Sequence, residues 1–140
     1  MYEYKCRIDR VVDGDTVDIF IDLGFDIILC NQRIRLYGID TPESRTRDKQ
    51  EKIYGNAAKK FLTEMLDNEE CFIRTRRDAR GKYGRILGEF IVPDKFGNEI
   101  NVNQFMIDNH LGVAYHGQSK DDIVEQHLKN RKLLDPAYLT

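Results

Sequence analysis

The stretch YEYKCRIDRVVDGDTVDIFIDLGFDIILCNQRIRLY, residues 2–37, decides the fold. Over residues 2–12, Tyr2, Tyr4, Cys6 and Ile8 alternate with Glu3, Lys5, Arg7 and Asp9, the two-residue period of a half-buried strand. Asp13-Gly14-Asp15 carries the chemistry of a sharp turn. Val17, Ile19 and Ile21 resume the alternation over residues 16–22. Leu23-Gly24-Phe25-Asp26 then reads as a hairpin connection into a third strand over residues 27–37. Three strands joined this tightly predict an antiparallel meander.

Gly38 and Pro42 break the pattern, and the polar residues 43–52 read as a surface loop. From Tyr54 the period becomes helical, with Ala57, Ala58, Phe61, Leu62, Met65 and Leu66 on one face. A fourth strand is expected over residues 70–76 and a fifth over 85–92, where Pro93 stops it; a basic loop with two glycines joins them. Helices are expected over about 101–109 and about 120–134, with Pro136 beyond the last. The order β-β-β-α-β-β-α-α is that of an α+β protein built on a five-stranded antiparallel Greek-key barrel, the OB-fold, with three helices. A chain of 140 residues suits one domain, expected over 1–140.

Composition narrows the function. The chain is 41% hydrophobic and 33% charged and has no apolar run of membrane-spanning length. Its first residues lack the apolar core of a signal peptide, so either a cytoplasmic protein or a processed, secreted form is expected. Cys6, Cys30 and Cys71 are widely spaced, form no C-x-x-C, and are expected as buried free thiols. The formal net charge is −2, but residues 74–85 hold six basic residues against one acid, so a local basic patch sits on a mildly acidic protein.

Asp13-Gly14-Asp15-Thr16 places two carboxylates beside a turn, and Asp40-Thr41-Pro42-Glu43 places two more after the third strand. An EF-hand is excluded, because loop positions 6 and 12 counted from Asp13 hold Asp18 and Gly24. Asp15, Asp40 and the Thr41 carbonyl form half of an oxygen shell for a hard divalent cation, with Glu43 close by. Each pair read alone is ordinary turn chemistry. Arg35 ends the third strand and Arg85 begins the fifth; arginine forks onto two phosphate oxygens and keeps its charge. Lys82 suits a neighbouring phosphate, and Tyr83 and Tyr115 suit stacking on a base. No competing catalytic set exists: Ser44 and Ser119 occupy no nucleophile elbow, and His110, His116 and His127 show no ligand spacing. His127 reads as a structural contact of the last helix.

These pieces together resemble the staphylococcal nuclease family. The matching strings are Val12 to Val17, Arg33 to Glu43, Tyr54-Gly55 with Ala57-Ala58, and Lys82-Tyr83-Gly84-Arg85. Val102-Asn103, Val113-Ala114-Tyr115 and Glu125-Gln126-His127-Leu128 continue them in family order over nearly the whole chain. The resemblance implies an OB-fold hydrolase: a calcium-dependent nuclease acting on DNA and RNA, cleaving at the 5′ oxygen and leaving 3′-phosphate ends. It implies that Asp15, Asp40 and Thr41 hold Ca2+, that Glu43 orients or deprotonates water, and that Arg35 and Arg85 grip the phosphate. Lys82, Tyr83 and Tyr115 would line the nucleotide site of a monomeric enzyme. The family's best-known member is strongly basic, so this mildly acidic chain is expected to bind nucleic acid more weakly or with more salt sensitivity. The alternative is a non-catalytic nucleic-acid-binding OB module, against which the presence of all five residues Asp15, Arg35, Asp40, Glu43 and Arg85 counts. A domain that docks protein partners is a third reading.

Overall fold

The architecture was obtained as a computed structural model, which describes residues 2–76 and 85–140. The expected basic loop over 77–84, with Lys82 and Tyr83, lies outside the described residues. Strands β1 (Tyr2–Asp13), β2 (Thr16–Asp22) and β3 (Ile28–Leu36) form the expected antiparallel meander. After the short β4 (Ile39–Asp40) comes helix α1 (Lys49–Leu66), then β5 (Cys71–Arg76) and β6 (Ile86–Pro93). The chain ends with β7 (Glu99–Asn101), α2 (Val102–Asp108), β8 (Val113–Ala114), α3 (Lys120–Leu133) and a 3-10 turn over Pro136–Leu139. β1 pairs with both β2 and β5, β5 with β6, and β6 runs parallel to β3. That last pairing closes five strands into a barrel, so the OB-type architecture read from the sequence is the one observed.

Alternation fills the barrel. Val17, Ile19, Ile34, Leu36, Ile73 and Phe90 are fully buried, and Ala58, Leu62, Val102 and Met106 of the helices close over them. β1 does not keep one face inward along its length. Its register with β2 shifts between Ile8 and Arg10, which changes the inward set from Cys6 to Val11. An extra residue of this kind bends a strand and increases its twist, as closing a barrel requires. A second shift, between Ile19 and Ile21 on the β2 side, coincides with Asn31 in the left-handed region at φ 56°. Asparagine tolerates that conformation better than most residues.

Two expectations need correction. Helix α1 starts at Lys49 rather than near Tyr54, because Asp48 caps it by accepting from the Gln50 and Glu51 amides. The first turn is polar and solvent-facing, so it carries no apolar period. Cys30 is exposed on β3, whereas Cys6 and Cys71 face each other across β1 and β5 with sulfurs 3.6 Å apart. Contact with Cys71, and then burial, push the Cys6 thiol well up, so it packs as a neutral group.

The barrel also fixes how α1 meets the loop after β4. Gly55 lies on the buried face of α1, and a methyl group there would fall 2.2 Å from the Glu43 carbonyl oxygen. The helix can approach this loop only through a residue without a side chain. Gly55→Ala is expected to lower stability by about 1–3 kcal/mol, the usual cost of overpacking, despite alanine's better helix propensity. A urea melt showing equal or greater stability would contradict this packing.

Candidate active site

β1 and β2 are joined by the Asp13-Gly14-Asp15 turn, and β3 runs out through Leu36 into the segment carrying Asp40 to Ser44. Three hydrogen bonds lock these segments together. The Leu36 amide donates to the Asp15 carbonyl at 2.8 Å. The Thr41 amide donates to Asp15 Oδ2 at 3.2 Å, and the Ser44 amide to Asp13 Oδ1 at 3.3 Å. Gly14 sits where a methyl group would strike the Thr41 hydroxyl at 2.7 Å, so the turn can press against the loop. The turn chemistry of the two aspartates and their place in the site are therefore one arrangement.

Arg35 is the centre of the cluster. Its Nη1 lies 3.4 Å from Asp15 Oδ2, and its Nη2 lies 3.7 Å from Asp40 Oδ2. Nη1 also donates to the carbonyls of Leu36 and Ile39, at 3.1 and 2.8 Å. The guanidinium is only 18% exposed, so these contacts act in a medium less polar than water. A cleft of about 560 Å³ opens here, and Asp13, Asp15, Arg35, Asp40, Glu43 and Arg85 all line it, with Arg33 and Arg45 also in its wall. A larger groove, about 780 Å³, lies between β1, the β2–β3 hairpin and the end of α1. It shares no lining residue with the cleft.

Glu43 is an exposed residue whose carboxyl lies in this cleft. Partial burial, the hydrogen bond with Asp13, and the charges of Asp13, Asp15 and Asp40 push it up to about 7. Among the described residues four acids and four arginines line the cleft, so Glu43 is raised, beyond its burial, by the local crowding of Asp13, Asp15 and Asp40 and not by a net negative charge. Thr41 is buried at 3% exposure, and its hydroxyl, like that of Ser44, has no hydrogen-bond partner among the described residues.

Five of the nine expected site residues, Asp15, Arg35, Asp40, Glu43 and Arg85, line one cleft, and Thr41 lies beneath it through its bond to Asp15. Tyr115 stands beside the cleft rather than in its wall. Its amide donates to the Gly38 carbonyl at 2.8 Å, and its side chain is left half exposed. Lys82 and Tyr83 lie outside the described residues. Sequence reasoning missed Asp13 and His127. Asp13 was visible as the first acid of its motif. His127 of α3 sets its Nε2 2.7 Å from Asp40 Oδ1, and no sequence period marks that contact.

Among the described residues, no three His, Cys, Asp or Glu side chains already converge as a metal cage. The donors present are Asp15 and Asp40 carboxylates with backbone carbonyls nearby, all hard oxygens. Their set, crowded enough with charge to raise Glu43, fits a divalent cation that takes its remaining ligands from water and substrate.

The fold and the cleft define an OB-type barrel carrying an acid–arginine cluster at the end of β3. A family model described as staphylococcal nuclease homologue matches residues 33–133. A thermonuclease of Staphylococcus intermedius is 36% identical over 91 residues, covering 65% of this chain and 51% of the relative. An uncharacterized endonuclease of Escherichia coli is 31% identical over 118 residues, covering 84% of this chain and 65% of the relative. Endonuclease YhcR of Bacillus subtilis is 28% identical over 119 residues, which is 81% of this chain and 9% of that protein. The chain therefore belongs to the staphylococcal nuclease family, and it spans less than two thirds of the length of these relatives.

The raised Glu43 carboxyl has a sign that can be checked on metal-free protein. A carboxyl held above its ordinary value of 4.5 binds more protons folded than unfolded, so it lowers stability as pH rises from about 4.5 to about 7. In chelator, Glu43→Gln is expected to melt a few degrees higher than wild type at pH 8, with the difference shrinking toward pH 5. A thermal melt showing the variant less stable at pH 8 would refute the repulsion.

Proposed function

We propose that this chain is a hydrolase that cleaves phosphodiester bonds of DNA and/or RNA, using Ca2+ and an attacking water. The carrying observation is Arg35 held between Asp15 and Asp40 in a cleft shared with Glu43 and Arg85. Cleavage at the 5′ oxygen, leaving 3′-phosphate ends, and action as a monomer follow the family resemblance.

In this reading Asp15, Asp40 and the Thr41 carbonyl hold the cation. When bound, it withdraws charge from the scissile phosphate and offsets the acids around it. Arg35 is pinned by the Leu36 and Ile39 carbonyls, so it meets a phosphate in a fixed orientation. Arg85 enters the same cleft from the start of β6, and the two guanidinium groups stabilise charge as it builds on the phosphoryl oxygens. Glu43, once relieved of its neighbours' repulsion, is ionised and can orient water or accept its proton. Tyr115, Lys82 and Tyr83 are assigned to nucleotide binding by the family resemblance. His127 holds Asp40 through Nε2, which fixes the carboxylate without touching substrate.

Purified protein with denatured DNA, in calcium and then in chelator, tests the proposal. Cleavage should require the cation, and Glu43→Gln should lose about 10²-fold or more in kcat. Arg85→Ala should lose about 10²–10³-fold, as for removal of one group that stabilises transition-state charge. A folded wild type that cuts nothing in calcium, magnesium or manganese would leave the binding-module alternative. For His127→Leu, calorimetric titration should show calcium binding weakened about tenfold. Binding unchanged from wild type would mean that the Asp40 contact serves α3 alone.

A further inference from the structure

On β3, Ile34 and Leu36 are buried in the barrel, so Arg33 and Arg35 lie on its outer face; Tyr37 follows in the turn after the strand, its amide donating to the Gly88 carbonyl at 2.8 Å. The strand register continues this face sideways. Arg35 pairs with Leu87 of β6, and Leu87 pairs with Arg76 of β5, which puts the three in one row. Arg76 reaches back across the row and lays its guanidinium over the Tyr37 ring, 4.6 Å from the centroid. Both partners are fixed from behind. Arg76 Nη2 donates to Glu89 Oε1 at 3.0 Å, and Glu89 Oε2 also accepts from Asn101 Nδ2 at 2.8 Å. The buried Asn103 donates to the Tyr37 carbonyl at 2.9 Å and to the Gly88 carbonyl at 3.0 Å. Tyr37 nevertheless remains 41% exposed and the Arg76 side chain 42%.

We infer that the Tyr37–Arg76 stack is a binding subsite for an unpaired nucleobase, beside the phosphate cleft. This rests on the proposed nuclease reading and deepens it by naming the residues that would hold a base. Tyr37 lies two residues beyond Arg35, in the turn that leaves β3, and the row Arg35–Leu87–Arg76 sets its stacking partner Arg76 on the same face as Arg35. A chain whose phosphate meets Arg35 therefore delivers its neighbouring base to the stack. An aromatic ring and a guanidinium plane both accept a base by stacking, with no demand on its sequence. Because the stack is ordered before substrate arrives, little side-chain freedom is lost on binding. Bases within a duplex are stacked on each other and shielded, so the subsite discriminates in favour of open strands.

The test is fluorescence anisotropy of a short labelled oligothymidylate in chelator, where binding is read without cleavage. The same strand annealed to its complement serves as the duplex probe, and thermal melts monitor folding. Tyr37→Ala should weaken single-strand binding about tenfold, Tyr37→Phe should restore it, and the loss on duplex should be smaller. KM for denatured DNA should rise in parallel in calcium, with kcat changing much less. Single-strand binding by Tyr37→Ala equal to wild type would overturn the subsite. So would equal losses in the Ala and Phe variants, or equal losses on single strand and duplex. A wild type that binds but never cleaves would sink the nuclease reading while leaving this binding comparison decisive.

Discussion

The ion cluster around Arg35 is the constraint on which the rest of the site depends. One guanidinium faces two carboxylates from different parts of the chain and two carbonyls from its own. Asp15 comes from the β1–β2 turn and Asp40 from β4, 25 residues further along the sequence. Pairs this far from water gain more from attraction than surface pairs do, but they also lose more on desolvation. The backbone carbonyls matter for that reason: they satisfy donors that a lone ion pair would leave unmet. Arg35 is therefore oriented by the protein's own groups, and the acids around it are held close enough to repel Glu43.

That repulsion connects stability to function. Asp13, Asp15, Asp40 and Glu43 surround one small cleft, and a protein selected for stability alone would neutralise some of them. Glu43 carries the result, its carboxyl pushed up to about 7. Under the proposed function, a bound divalent cation would offset this repulsion. The strain is held by rigid parts: the Asp15 and Asp13 bonds to the Thr41 and Ser44 amides, and the contact between Gly55 and the Glu43 carbonyl.

Much of this was legible in the sequence, for identifiable reasons. The strands of the meander are half-buried, so each prints a two-residue period, and α1 prints a helical one from Ala57 onward. Turn motifs located the acids because tight turns favour Asp and Gly. What stayed hidden has no periodic signature. The polar first turn of α1 is set by the Asp48 cap. The short strands β4, β7 and β8 are too brief to show alternation. The face that α3 turns inward is polar: His127 meets Asp40, Asn130 donates to the Gly112 carbonyl, and Arg131 lies over the Tyr54 ring. Val124, Leu128 and Leu133 of the same helix are exposed. A reading that places apolar residues inside assigns such a helix the wrong face.

The polar docking of α3 also explains how a helix with no fully buried residue can matter to chemistry. Apolar packing is non-directional and tolerates small slips. The hydrogen bonds from His127 and Asn130 fix both the rotation and the height of the helix against β4 and β8. Asp40 is paired with Val113 in that small sheet, so its backbone is set from one side by β8 and its carboxylate from the other by α3. Arg35 completes the enclosure from β3. Directional contacts from three separate elements define the position of one carboxylate, as the proposed role of Asp40 in holding a cation would require. The barrel thus supplies the core and the ordering of strands. Position at the level of single atoms comes from the polar contacts laid over its end.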